Sequence, residues 1–231
     1  VLEKNMMCFD PMTGKRGIAQ TREVEGKTQV YMQLKSGESI ILQTFTRSLQ
    51  GEPEWKYRKE MDYSLSLDHG WKLRFVESYP AIEGEFKIDT PSSWTEVAHP
   101  AAKINRGTAL YSLELDLPEL SADDWILDLG DVRESARVRI NGQEAGVAWA
   151  APFRLSIGQL LKPGKNLIEV EVTNLPANSI AEMDRQGKQW RIFEDINMAK
   201  LNYEKGTYGH WETLPSGLNG IVRLIPVKYL F

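Results

Sequence analysis

Three acidic residues, Asp184, Glu194 and Asp195, sit among aromatic and planar polar side chains in one segment, which has more chemistry to offer than any other stretch of the chain. Hydrolysis of a glycosidic bond needs two carboxyl groups roughly 5–10 Å apart, one as acid and one as base or nucleophile. Spacing along the chain does not set that separation. Carboxylates in such a segment serve equally well as helix caps or surface charges. Recognition of a sugar ring asks for less. An indole or phenol face stacks on the apolar C–H face of the ring, and planar groups bond its hydroxyls. Asn178, Asp184, Arg185, Gln189, Trp190, Arg191, Tyr208 and Trp211 supply both kinds of group, and Trp149 is placed to join them. A surface rich in Arg and Trp is also the composition of a docking interface. Packing of a long loop on itself is a third use of the same residues. The sequence leaves all three open.

Other chemistries are weakly represented. His69, His99 and His210 are far apart and form no H-x-H or H-E-x-x-H spacing, so a transition-metal site has little support. Ser216 lies in P-S-G-L rather than a G-x-S-x-G elbow, and Gly217 is better explained by a turn with positive φ. No G-x-G-x-x-G or P-loop occurs, so nucleotides are disfavoured. Cys8 is the single cysteine, which excludes an internal disulfide and a cysteine metal cluster within the chain. A structural calcium ion would find carboxylates at Asp128, Asp131 and Glu134, although these residues serve equally to solvate a turn.

The elements that must position these residues read as strands. Ala136, Val138 and Ile140 alternate with Arg137 and Arg139, and Ile168, Val170 and Val172 alternate with Glu169 and Glu171. A period of two means one buried and one wet face. Strands are expected at Ala109–Leu117, Trp125–Leu129, Ala136–Ile140, Glu144–Val147, Phe153–Ile157, Leu167–Thr173 and Gly220–Val227. Asn141-Gly142 predicts a two-residue hairpin. Residues 175–219 break the pattern; short helices are expected at Ser179–Arg185 and Trp190–Ile196. Long loops in compact domains are usually functional or interface-forming. The fold class is an antiparallel β-sandwich, all-β, with Trp94 plugging one end.

Residues 1–48 read as a small β unit, 49–62 as a connector and 63–231 as the sandwich. The first unit is too small to be stable alone, so it packs on the sandwich or is the tail of a preceding domain. The chain starts with Val in mid-pattern, which reads as part of a longer polypeptide. At 231 residues and 42% hydrophobic it can bury a sizeable core. A net charge of −4 without any basic run argues against nucleic-acid binding, and no segment is apolar enough for a transmembrane helix.

Six motifs in this order carry a resemblance: W-x-L-D-L-G-D-V, S-A-R-V-R-I-N-G, G-x-x-W-x-x-P-F, L-K-P-G-K-N, V-T-N-L-x-x-N and L-P-S-G-L-x-G. The chain resembles the galactose-binding-like jelly roll that accompanies glycoside hydrolases related to family 2. It is most similar to the C-terminal end of large bacterial α-L-rhamnosidase-like enzymes. D-P-M-T-G-K and Lys35-Ser36-Gly37-Glu38-Ser39 look like the β unit that precedes that jelly roll. The likeness is densest over 109–227. It implies that the catalytic carboxylates stand in a separate (β/α) barrel upstream, so none is carried onto this chain. What it implies is an accessory piece of a periplasmic or secreted hydrolase, with a glycan or the parent's catalytic domain as partner. The alternatives are an autonomous carbohydrate-binding module and a structural or adhesion sandwich without a sugar ligand.

Overall fold

The computed structural model describes residues 5–118, 121–191 and 206–230. Five strands come first: β1 (Asn5–Phe9), β2 (Arg16–Ile18), β3 (Thr21–Val24), β4 (Lys27–Val30) and β5 (Ile41–Phe45). They form an antiparallel sheet in the order β2-β1-β5 and a separate β3-β4 hairpin. The core of this unit is small: Met6, Cys8 and Ala19. It is tied to the rest by polar contacts. The Gln33 side chain donates to the carbonyl of Arg58 at 2.8 Å and accepts its N–H at 2.9 Å. The Tyr57 hydroxyl donates to the carbonyl of Tyr31 at 3.0 Å and accepts from the Gln20 amide at 2.9 Å.

The sandwich is built from β6 (Arg58–Glu60), β7 (Leu65–Ser66), β8 (Trp71–Tyr79), β9 (Glu85–Ile88), β10 (Arg106–Leu117), β11 (Asp124–Asp128), β12 (Val132–Arg133), β13 (Ser135–Ile140), β14 (Gln143–Ala148), β15 (Arg154–Ser156), β16 (Gly164–Thr173), β17 (Gly217–Leu218) and β18 (Arg223–Tyr229). One sheet has the order β14-β13-β16-β10-β8-β9; the other runs β15-β11-β18-β6, with β7 also paired to β18. Every strand pair in both sheets is antiparallel, as expected. A short β12-β17 pair stands beside them. β6 lies within the stretch expected as a connector, and it carries that stretch into the second sheet.

Alternation does what a period of two requires. Trp71, Leu73, Ala109, Tyr111, Val138 and Val170 turn inward from the large sheet and are buried. Leu127, Leu155 and Leu224 meet them from the other sheet in one continuous core. Burial of each Leu-sized side chain contributes about 1.5–3 kcal/mol, and that gain favours this register over one shifted by a residue. Asn141 and Gly142 both have positive φ, at 54° and 78°, as a tight primed turn needs. Trp94 is wholly buried, with its ring 5.6 Å from that of Phe75.

Candidate functional site

The segment between β16 and β17 leaves the sandwich through Asn174 and returns through Ser216. Asn174 accepts the Gly107 amide at 2.9 Å and donates to the Asn105 carbonyl at 3.0 Å and to the Ser216 hydroxyl at 3.1 Å. Ser93 receives the Ser216 amide at 2.9 Å. Both ends of the insertion are thus clamped to one end of the sandwich. Gly217 completes the seam with φ at +94°; a Cβ there would strike the Tyr111 hydroxyl and come within 2.9 Å of the Trp94 ring. Burial pushes the Tyr111 hydroxyl far above its usual range, so it stays neutral and receives the Leu218 amide at 3.2 Å. Asn174 is a residue the site prediction missed. Its signal is the V-T-N run at the end of a strand, where a carboxamide can bond backbone on either side.

Helix α1 (Ala177–Arg185) forms where a helix over Ser179–Arg185 is expected. It buries Asn178, Ser179 and Ala181. Asn178 is not free to meet a ligand: its carboxamide accepts the Leu214 amide and donates to the Leu214 carbonyl, both at 2.8 Å. It holds the returning segment of the insertion against the helix. Glu194 and Asp195, and all but the first two residues of the helix expected over Trp190–Ile196, lie outside the described residues.

Seven of the predicted site residues come together at the C-terminal end of α1. Asp184 accepts the Trp190 indole N–H at 2.6 Å and the Tyr208 amide at 2.5 Å. Arg185 donates to the carbonyls of Gly209 at 2.9 Å and Trp211 at 2.6 Å, and to the Glu182 carboxylate at 3.1 Å. Hydrogen bonds from Gln186 and Arg185 hold the Glu182 carboxyl below its usual range. The Arg191 guanidinium lies 4.9 Å from the centre of the Trp190 ring and 5.3 Å from that of Tyr208. Tyr208 in turn packs on Trp211, with ring centres 4.6 Å apart. The Gln189 amide donates to the Arg191 carbonyl at 3.0 Å.

This arrangement is a knot tied largely by its own polar groups. Arg191 covers aromatic face that a sugar would need, and Asp184 already accepts two donors. Trp211 is the aromatic side chain left outward, 39% exposed, with Leu214 and Leu175 exposed in the same segment. Among the described residues no ring contact or hydrogen bond links Trp149 to the knot. It follows the last residue of β14 at 58% exposure.

Two of the three calcium candidates are engaged elsewhere. Asp128 pairs with Arg154 at 2.5 Å and accepts the Gly130 amide; Asp131 pairs with Arg133 at 2.9 Å. Glu134 is exposed next to β13. Among the described residues no group of three His, Cys, Asp or Glu side chains is arranged to hold a metal ion. No helix among them is long and apolar enough to cross a membrane.

No family model matches the chain. Over 197 residues, 77% of its length, it is 29% identical to a protein of Formosa agariphila provisionally named a β-glucuronidase, and it covers 17% of that protein. Among solved structures it superimposes on a rhamnosidase from Novosphingobium sp. PP1Y with a TM-score of 0.73. The sequences are 26% identical, and the match takes in 97% of this chain and 21% of that one. A β-D-glucuronidase of Dictyoglomus thermophilum shares the fold, with a TM-score of 0.50 and 18% identity over 74% of this chain and 29% of that one. The chain thus spans about a fifth of the length of the Formosa and Novosphingobium proteins. As the motifs suggested, it is similar to a segment of glycoside hydrolases.

Proposed function

We propose that this chain is a non-catalytic accessory region of a glycoside hydrolase, with the insertion after β16 as the part that buttresses the catalytic body. The observation that carries this reading is the match of nearly the whole chain to one fifth of a rhamnosidase. The insertion supports it. Among the described residues its side chains bond groups of the same segment, and Trp211 and Leu214 stand outward as anchors. Its work is positional: it fixes the rim of a cleft whose carboxylates belong to another part of the parent polypeptide. Action on extracellular glycans would put that parent in the periplasm or outside the cell.

The test has two arms. The chain alone is assayed on aryl rhamnosides and aryl glucuronides, with no turnover expected; turnover above that of a denatured control defeats the non-catalytic reading. The chain is then added to the remainder of its parent polypeptide. Recovery of activity is expected, and Trp211→Ala should need at least a tenfold higher concentration than the wild-type chain to achieve it. Equal potency of the two would remove the insertion from the interface.

A further inference from the structure

Two Asn-Gly pairs occur in the chain, Asn141-Gly142 and Asn219-Gly220. In such a pair the backbone nitrogen of the glycine can attack the asparagine carboxamide, because glycine has no side chain to shield that nitrogen. The reaction requires that the carboxamide carbon swing toward the nitrogen. The two pairs are held very differently against that motion.

Asn141 is pinned through both ends of its carboxamide. Its Nδ2 donates to the Leu160 carbonyl and to Asn166 Oδ1, both at 2.9 Å, and its Oδ1 accepts the Leu167 amide at 3.0 Å. Turning Cγ toward Gly142 breaks all three bonds. Asn219, between β17 and β18, has one long bond, from Nδ2 to the Gly217 carbonyl at 3.3 Å. Its Oδ1 is buried, and among the described residues nothing donates to it. Nor, among them, does any backbone carbonyl accept the Gly220 N–H. The fold cannot dispense with that glycine: a Cβ at Gly220 would stand 2.3 Å from the Asp131 nitrogen. Packing thus demands the very residue that leaves the neighbouring carboxamide vulnerable. Asn219 and Gly220 are half-buried and Ile221 is exposed, so water reaches this stretch.

We propose that Asn219 is a site of spontaneous deamidation, with the main chain as nucleophile and water as the co-reactant. The Gly220 nitrogen gives its proton to solvent and bonds Asn219 Cγ. The Cγ–Nδ2 bond breaks, and the amide nitrogen takes a proton from solvent and leaves as ammonia. The cyclic succinimide then adds one water at either carbonyl, which leaves an aspartyl or an isoaspartyl residue at position 219. Nothing is oxidised or reduced. Both products lose the Nδ2 donor to Gly217 and gain a carboxylate where the original oxygen already lacked a donor, an unfavourable place for a charge. The isoaspartyl form also lengthens the main chain by one carbon, beside a glycine packed against the 130–131 backbone. Conversion therefore loosens the β12–β17 pair, Val132 with Leu218 and Arg133 with Gly217, where the insertion re-enters the sandwich. This chemistry is independent of the role given to the insertion above.

The intact chain is incubated in mildly alkaline buffer, folded and in urea, and then digested with trypsin. Cleavage after lysine and arginine puts Asn141 in peptide 140–154 and Asn219 in peptide 206–223, so mass and chromatography read each site separately. In the folded chain Asn219 is expected to convert about tenfold faster than Asn141, or more, because three hydrogen bonds must break at Asn141. In urea the two rates are expected to agree within about threefold, since unfolding frees both carboxamides. Equal rates in the folded chain overturn the proposal, as does a tenfold gap that persists in urea. So does product with no isoaspartyl form, because direct hydrolysis of the side chain makes only aspartate. Asn219→Asp supplies the product's carboxylate at once, and amide exchange over residues 216–219 is expected to be about fivefold faster in it, or more. Exchange equal to that of the wild-type chain overturns the loosening.

Discussion

The sandwich and the insertion after β16 are held by opposite means. In the sandwich, strand after strand contributes apolar side chains to one core, and the ladders satisfy the backbone. In the insertion, one nine-residue helix is the only regular element among the described residues, and individual side chains bond individual backbone groups: Asn178 to Leu214, Arg185 to Gly209 and Trp211, Asp184 to Tyr208. Packing energy is spread over many residues and is cooperative. Side chain to backbone bonds each contribute about 0.5–1.5 kcal/mol net, and they can fail locally. A scaffold suits the first design, and a surface that must present a few residues in fixed positions suits the second.

The comparison breaks most sharply at Trp71. Its side chain is 1% exposed and its indole N–H donates to the Leu67 carbonyl at 2.7 Å. Trp71→Ala removes a large packing volume and takes that donor away from the carbonyl. A loss of about 3–5 kcal/mol is expected by denaturant unfolding, with one cooperative transition across the sandwich. Should the loss be below about 1 kcal/mol, the large sheet would not be the stabilising core.

Asn178→Ala addresses the insertion. It leaves both the N–H and the carbonyl of Leu214 without their partner, at about 0.5–1.5 kcal/mol for each bond lost. The cost should stay local. Faster amide exchange and faster proteolysis are expected across residues 206–214, while the main unfolding midpoint moves far less than in Trp71→Ala. Equal effects of the two variants on that midpoint would mean that the insertion and sandwich unfold as one unit.

The same contrast explains what could be read from the sequence. Ala136–Ile140 and Leu167–Thr173 were legible because alternation is local, and burial rewards it without reference to anything distant. Asn141-Gly142 was legible because few residue pairs tolerate two successive positive φ angles. α1 was legible from its composition, and Gly217 from the need for a turn. β6, β7, β12 and β17 are two or three residues long and exist only because a partner strand lies beside them, so no periodicity announces them. The aromatic and charged residues of the insertion were recognisable as a group, yet their division of labour was not. Whether Asn178 faces a ligand or pins Leu214 depends on which strands end at which end of the sandwich.

A third joint, between the first β unit and the sandwich, sharpens the contrast at its weakest point. Glu60 on β6 is bridged by Lys35 and by Arg154, the latter at 2.9 Å, and Arg154 also pairs with Asp128 at 2.5 Å. Burial pushes the Glu60 carboxyl up, but the hydrogen bonds and charges of Lys35 and Arg154 outweigh it and hold the group below its usual range. Linkage sets the sign. A carboxyl depressed in the folded state stabilises it above the unfolded-state value, and that contribution is lost as pH falls through the folded value. The melting temperature should therefore drop on acidification below the ordinary carboxylate range, and Glu60→Gln should flatten part of that drop while costing no more than about 1 kcal/mol at neutral pH. A joint made of a partly exposed ionic cluster responds to pH and salt; a core of Trp, Leu and Val does not. If Glu60→Gln leaves the acid limb of the melting curve unchanged, the first β unit is held by neutral contacts that pH does not reach, among them the hydrogen bonds of Tyr57 and Gln33 and the backbone pairing of Ile18 with Pro53 and Trp55.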